Sequence, residues 1–238
     1  MPDTPEDLQR AYYANRAPAY NAAHVNKDEH YFALGVLDGL LDQFSIASVL
    51  DVVAGTGRAL FYLRDRRPAL TLQGIEPVAE LREVAYAQGF PARHLTDGNA
   101  LNLPFRDGEF DLVCAFGIMH HIATPRRAAA EMLRVARRAV FISDCNNFGQ
   151  GGWAWRTMKQ GLHALRLWPV ADWIKTRGRG YQITEGDGLA YSYSIFDTYR
   201  VISMACKDVY TFNTTPAGPN PYRSASHAAI LGVKSGVG

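Results

Sequence analysis

The chain lacks most of the features that would assign a class at once. Its 238 residues include three cysteines, Cys114, Cys145 and Cys206, set singly and far apart, so neither a disulfide framework nor a cysteine metal site is expected. No metal is expected at all. Lysines and arginines number 25 against 23 acids, a net +2 that supplies no basic field for nucleic acid and no polybasic tail for a membrane surface. No apolar run approaches the length of a membrane span, and the opening "MPDTPEDLQR" is acidic where a secretory leader is basic and then apolar. Also missing are a Gly-x-Ser-x-Gly elbow and an H-E-x-x-H pair. These absences leave a cytoplasmic protein, monomer or homodimer, whose partner is a small molecule rather than nucleic acid or a membrane.

What is present is 47% hydrophobic residues, enough for one sizeable core. Residues 4–24 and 30–43 read as helices, and Phe32, Val36, Leu37, Leu40 and Leu41 recur at the spacing of one apolar face. From there strand and helix take turns: "IASVLDVV", a helix from Arg58 to Arg66, "LTLQGIE", a helix from Val78 to Gln88, "ARHLT", "FDLVCAF", a helix from Pro125 to Arg138 capped by Thr124, and "AVFISD". Such alternation predicts a doubly wound α/β fold of Rossmann-like type with helices on both faces of a parallel sheet. After Asp144 the rhythm breaks into a glycine-bounded helical insertion, and two closing strands, "DVYTFNTT" and "SHAAILGVK", are joined by so short a link that they should run antiparallel. The expected whole is a single domain, 1–238. It divides into an N-terminal helical lid (1–45), a ligand-binding core (46–145), a substrate-side insertion (146–195) and a C-terminal helix and strands (196–238).

"VLDVVAGTGRAL" ends a strand on Asp51 and breaks into Gly55 and Gly57, a turn that lets a ligand approach bare backbone. Valine at Gly57 is therefore expected to fill ligand space, while Val53 is expected to end the strand without touching the ligand. A dinucleotide fingerprint requires a third glycine where this chain has Leu60, which weakens the reading as a nicotinamide-dependent oxidoreductase. Glu76, nineteen residues beyond Gly57 at the end of the next strand, is placed to accept from both hydroxyls of a ribose.

Taken together, "VLDVVAGTGR", "GIEP" and "DGNALNLPFRDGEFDLVCAFGIMHHI" resemble the class I S-adenosylmethionine-dependent methyltransferases, nearest the small-molecule branch that includes the ubiquinone and menaquinone methyltransferases. The resemblance covers about residues 8–145. It implies a seven-stranded, mostly parallel sheet with an antiparallel last strand, S-adenosylmethionine as cofactor, and a cofactor site made by Asp51, Ala54, Gly55, Gly57, Glu76, Pro77, Asn99, Ala100 and Phe116. Asn99 stands where relatives carry aspartate next to the adenine amine, so it accepts there without charge assistance. The stretch "YYANRAPAYNAAH" is similar to the family's cofactor lid, with Tyr12, Arg16 and Tyr20 over the methionine end. A non-catalytic cofactor-binding module is the other alternative to a transferase.

The cofactor brings its own electrophile, so the protein must align an acceptor and, for a hydroxyl, take its proton. "GIMHHI" supplies His120 and His121 at the end of the fourth strand as base candidates, with His121 preferred. Asp144 and Asn146 lie on the same edge as groups to orient the base or hold the acceptor. Trp153, Tyr191 and Tyr193 are candidates to stack on a ring or sugar face, and Asp187 is a candidate acceptor for its hydroxyls. The expected reaction is O-methylation of a hydroxyl-bearing metabolite.

Overall fold

Two helices precede the sheet, α1 (Pro5–Arg16) and α2 (Asp28–Leu40). The computed structural model describes residues 4–21 and 28–236, so the end of the first expected helix, at 22–24, lies outside the described residues. Thr4 caps α1, its hydroxyl accepting from the Asp7 amide at 3.1 Å, and α2 buries Ala33, Leu34 and Leu37.

Five strands then alternate with three helices: β1 (Ser48–Val52), α3 (Arg58–Arg66), β2 (Thr71–Ile75), α4 (Ala79–Ala87), β3 (Leu95–Thr96), β4 (Phe110–Phe116), α5 (Pro125–Val135) and β5 (Ala136–Cys145). Next come α6 (Trp153–Ala164), α7 (Trp168–Lys175), the pair β6 (Tyr181–Thr184) and β7 (Gly188–Tyr191), α8 (Tyr199–Ala205), β8 (Asp208–Asn213), α9 (Pro221–Ser224) and β9 (His227–Val233). The main sheet has seven strands in the order β3-β2-β1-β4-β5-β9-β8, parallel from β3 to β5, with β9 antiparallel to both neighbours. This is the expected doubly wound architecture. Every residue of β4 and β9 is buried, the signature of strands covered on both faces.

The pleat splits the core into two layers. Leu50, Val113 and Ile142 pack with Met132 on one face, while Val49, Phe141 and Leu231 pack with Leu34 and Leu60 on the other. Leu60, at the missing third-glycine position, is fully buried, and a side chain on Gly74 of β2 would meet it at 2.7 Å. Bulk on the helix is matched by its absence on the strand.

Two local readings are corrected. The helix expected to reach Arg138 stops at Val135, because Ala136 already pairs with Phe110 of β4 and the Lys234 ammonium donates to the carbonyls of Leu133 and Ala136 at 2.6 and 2.7 Å. Thr124 occupies the cap position of α5 without a side-chain hydrogen bond. The hairpin β6–β7 adds a second, two-stranded sheet that the sequence reading did not anticipate.

Candidate functional site

The carboxyl ends of β1, β2, β4 and β5 converge on two adjoining cavities, where ligands meet sheets of this topology. The smaller, about 270 Å³, is lined by Val53, Gly55, Glu76, Pro77, Asn99, Ala100 and His121 among others. The larger, about 550 Å³, is lined by Arg58, Phe116, His120, Asp187, Tyr191 and Tyr193 among others. Tyr13, Tyr20 and Gly117 belong to both walls.

Glu76 is buried at the end of β2. Its two oxygens accept from the amides of Gly55 and Val78 at 2.9 and 2.8 Å, and burial pushes its carboxyl up to about 7 against the pull of those amides. The second lone pairs remain for hydroxyl donors. Asp51, buried one strand away, is raised by the same cause to about 7. Gly55 takes φ +58°, and a side chain there would come within 3.3 Å of the Tyr20 hydroxyl, so the tyrosine roofs bare backbone.

Val53 differs from the expectation. It is in the left-handed region at φ 59°, costly for a β-branched residue, and it lines the smaller cavity. Gly57 differs too: a side chain there would face Phe61 and Ala85, at 3.3 and 3.7 Å, rather than the cavity. Its φ of +82° is the reason for glycine.

On α1 the helical phase decides between neighbours. Tyr13 turns into the cavities, whereas Tyr12 donates to the Glu185 carbonyl outside them and Arg16 lies exposed over the Tyr12 ring at 4.7 Å. Arg16 is thus not brought to the site. The guanidinium lining the larger cavity is that of the half-buried Arg58, directly after the glycine turn, with burial lowering its pKa and Tyr20 and Asp51 opposing that shift. Its place in "AGTGR" was the available signal. Asn99 lines the smaller cavity with its side-chain oxygen accepting from the Leu101 amide at 2.9 Å.

The two histidines sit in different environments. His120 Nδ1 is 2.7 Å from Asp144 Oδ1, and its Nε2 is 3.1 Å from Asp187 Oδ2. Burial opposes its charge, but the negative field of Asp144 and bonds to both carboxylates outweigh it, holding the imidazole well above its usual pKa. Asp144, which also accepts from the amides of Met119 and Cys145 at 2.7 and 2.6 Å, is held well below the carboxylate range, because the His120 charge overcomes burial.

His121 is lowered to about 4, first by burial and then by the charge on His120. Its Nδ1 lies 2.7 Å from the Leu189 carbonyl and 3.0 Å from Gln9 Nε2, and its Nε2 pairs with the Tyr13 hydroxyl at 3.0 Å. His120, His121 and Asp187 offer ligand atoms within 4.8 Å of one another, a donor set able to hold a divalent metal.

Of the other predicted acceptor-side residues, Tyr191 and Tyr193 line the larger cavity. Asn146 and Trp153 do not. Asn146 is buried and consumed by the fold, donating to the Tyr222 and Ala225 carbonyls at 2.8 and 3.0 Å and accepting from Ser194 Oγ at 2.9 Å. Trp153 opens α6 and points outward.

Comparison with known proteins agrees with this geometry. Residues 50–142 match a methyltransferase domain family. A demethylmenaquinone methyltransferase of Deinococcus radiodurans is 38% identical over 92 residues, covering 37% of this chain and 37% of that protein. A norajmaline N-methyltransferase of Rauvolfia serpentina is 33% identical over 94 residues, covering 37% and 32%. The matched stretch spans about a third of these relatives' length.

The fold likeness extends further. A methyltransferase of Thermotoga maritima, described as a possible histamine N-methyltransferase, has a TM-score of 0.62 at 14% identity over 94% of this chain and 99% of its own. The magnesium protoporphyrin IX methyltransferase of Synechocystis, solved with S-adenosylhomocysteine, gives 0.60 at 13% identity over 98% and 100%. Residues 50–142 are thus similar to a methyltransferase domain, and the chain as a whole has the fold of the solved S-adenosylmethionine-dependent methyltransferases.

Proposed function

We propose that the chain transfers the methyl group of S-adenosylmethionine to a hydroxyl of a small molecule, the cofactor in the smaller cavity and the acceptor in the larger. The observation that carries the reading is the shared wall. Tyr13, Tyr20 and Gly117 border both cavities, while His121 faces the cofactor side and His120 the acceptor side.

Glu76 holds the ribose hydroxyls, its buried carboxylate already anchored by two amides. Asn99 and Ala100 border the adenine, and Tyr20 and Arg58 border the amino-acid end. When bound, the cofactor supplies a methyl on a sulfonium.

The acceptor hydroxyl gives its proton to Nε2 of His120 once that nitrogen is deprotonated. Asp144 holds Nδ1 and so fixes the tautomer and orients the ring. His120 is assigned as the base because Asp144 orients its ring and it lines the larger cavity, where the acceptor hydroxyl takes the place of Asp187 Oδ2 at Nε2; His121, on the cofactor side, holds Tyr13 and serves as a positioning residue. Asp187 reaches the same histidine from the β6–β7 turn and lies at the acceptor's edge, with Tyr191 as the surface for a ring or sugar face, while Tyr193 is buried in the core behind it.

The test is transfer of labelled methyl to a metabolite extract followed by mass spectrometry of the product. A product methylated on oxygen is expected. Label on nitrogen or carbon alone contradicts the acceptor assignment, and cofactor binding without transfer favours the binding-module alternative.

A further inference from the structure

Helices α6 and α7 are amphipathic in the reverse sense. On α6 the polar residues Arg156, Lys159 and Gln160, three and four apart from Arg156, face the protein. Arg156 donates to the Ser224 carbonyl at 3.2 Å, Gln160 to those of Phe148 and Arg223 at 3.1 and 3.0 Å, and Lys159, 2% exposed, to those of Asn147 and Gln150. The His163 ring lies 4.5 Å from that of Phe148.

The opposite, apolar side is what meets solvent. Trp155 is 50% and Leu165 70% exposed on or just after α6, and Trp173 is 63% and Ile174 66% exposed on α7. All four tryptophans of the chain lie in these two helices. A helix that faces water normally shows the reverse arrangement.

The charge on this face is equally one-sided. Between 152 and 180 the chain has six basic residues and one acid, Asp172, and of the bases Arg156 and Lys159 are turned to the protein, which leaves four for the outer face. Arg166, Lys175, Arg177 and Arg179 are exposed, whereas Asp172 is half-buried and accepts from Ser192. The small overall charge conceals this segregation. A second copy of the chain would set one cationic rim against an identical one. An anionic lipid surface satisfies both the rim and the tryptophans, which prefer the boundary between head groups and acyl chains. The helices have 12 and 8 residues, and no described helix is long and apolar enough to cross a membrane, so the contact lies in the plane of the interface.

Lys175 ends α7 and lines the larger cavity together with Gln182 and Thr184 of β6, which places the cavity mouth beside this face. We propose that α6 and α7 dock on the surface of a bilayer containing anionic lipids, and that the acceptor is an amphipathic molecule whose hydroxyl-bearing head enters the larger cavity from that surface. The second half rests on the transferase reading given above; the first does not.

The experiment is flotation of the full chain with vesicles of phosphatidylcholine alone or mixed equally with phosphatidylglycerol, with tryptophan emission and quenching by brominated acyl chains read in parallel. The wild type should float with the mixed vesicles, shift its emission to the blue and be quenched, and salt should weaken the binding. Trp173→Ser with Ile174→Ser, and separately Met158→Ser with Leu165→Ser, should weaken vesicle affinity by about tenfold or more, with thermal unfolding little changed because these side chains are exposed.

Absence of flotation and quenching overturns the proposal. So does a stable wild-type dimer that the same variants dissociate while leaving vesicle affinity unchanged, which would make the face a protein interface. Calorimetry with S-adenosylhomocysteine on the wild type and both variants separates the two readings, since the cofactor cavity is remote from the substitutions: absent binding in the wild type removes the transferase assignment and leaves the vesicle result standing. Labelled methyl recovered in the organic phase of a whole-cell extract supports the amphipathic acceptor, and label confined to the aqueous phase contradicts it.

Discussion

His120 Nδ1 lies 2.7 Å from Asp144 Oδ1, and that carboxylate also takes two backbone amides, so the ring is fixed from the sheet side while Nε2 meets Asp187 Oδ2 at 3.1 Å on the wall of the larger cavity. A buried carboxylate, an oriented imidazole and an open cavity in line form the arrangement by which a base is kept in one tautomer.

The pair should show in stability. His120 is raised in the folded state, so its contribution is complete below about 6.5 and is lost as pH rises through the higher folded value. Asp144 is depressed, so its contribution is complete above about 3.8 and is lost as pH falls through its folded value. Asp144→Ala should cost about 3–5 kcal/mol, the range for breaking a buried pair. It should also flatten the decline of melting temperature on the alkaline side. Thermal melts across pH check both; an Asp144→Ala melting curve parallel to the wild type's at every pH contradicts the pairing.

Cofactor affinity should depend on pH through Glu76. Its free carboxyl is held up to about 7 by burial, and the ionised form is the better acceptor for two hydroxyls. Affinity for S-adenosylhomocysteine should therefore be flat above pH 7 and fall by up to about tenfold per pH unit below it. Glu76→Gln should lose about 1.5–3 kcal/mol, because its amide turns a donor toward the Gly55 or Val78 amide. Titration calorimetry reads both effects, and unchanged affinity in a folded variant removes Glu76 from the site.

Substitutions in the glycine turn should separate. Gly57→Val carries a positive φ and a side chain against Phe61, so it should destabilise the fold by about 1–2 kcal/mol or more rather than block the cofactor selectively. Gly55→Ala pushes on the Tyr20 hydroxyl and should weaken cofactor binding more, relative to its cost in stability. Denaturant unfolding with calorimetry on each distinguishes them; equal effects on binding and stability for both variants count against the placement of Tyr20 over the turn.

Tyr13→Phe should behave as a milder copy of His121→Ala. Either change breaks the 3.0 Å bond that holds the tyrosine at the shared wall, without removing the proposed base. Both should lower turnover less than His120→Ala and leave the pH at which the rate rises unmoved. A larger loss from His121→Ala than from His120→Ala would restore His121 as the base.

The half of the molecule that carries the glycine turn was legible because its determinants are local. Continuous apolar runs such as "FDLVCAF" become strands buried on both faces, and the acid and glycines of "LDVVAGTG" sit at a strand end wherever that strand is placed. The part that follows β5 depends on long-range packing that periodicity does not encode. The helical spacing of α6 was readable, yet which side faced inward was decided in large part by the carbonyls of Ser224 and Arg223, 68 and 63 residues from the side chains that donate to them. Strands β6 and β7 are four residues each and partly exposed, too short for an alternating pattern to register. Asn146 looked like a ligand group because a polar residue at a strand end often is one, and the backbone carbonyls of Pro221 to Ala225 that claim it lie 75 or more residues away.

The most direct measurement is turnover against pH at saturating cofactor and acceptor, for the wild type, His120→Ala and Asp144→Asn. With His120 as the base, the wild-type rate should climb with pH from above 6.5 and level off beyond the raised value, Asp144→Asn should move the climb to lower pH, and His120→Ala should lose on the order of 10²-fold or more. A flat wild-type profile with full activity in His120→Ala would show instead that the acceptor needs no base and that positioning alone carries the transfer.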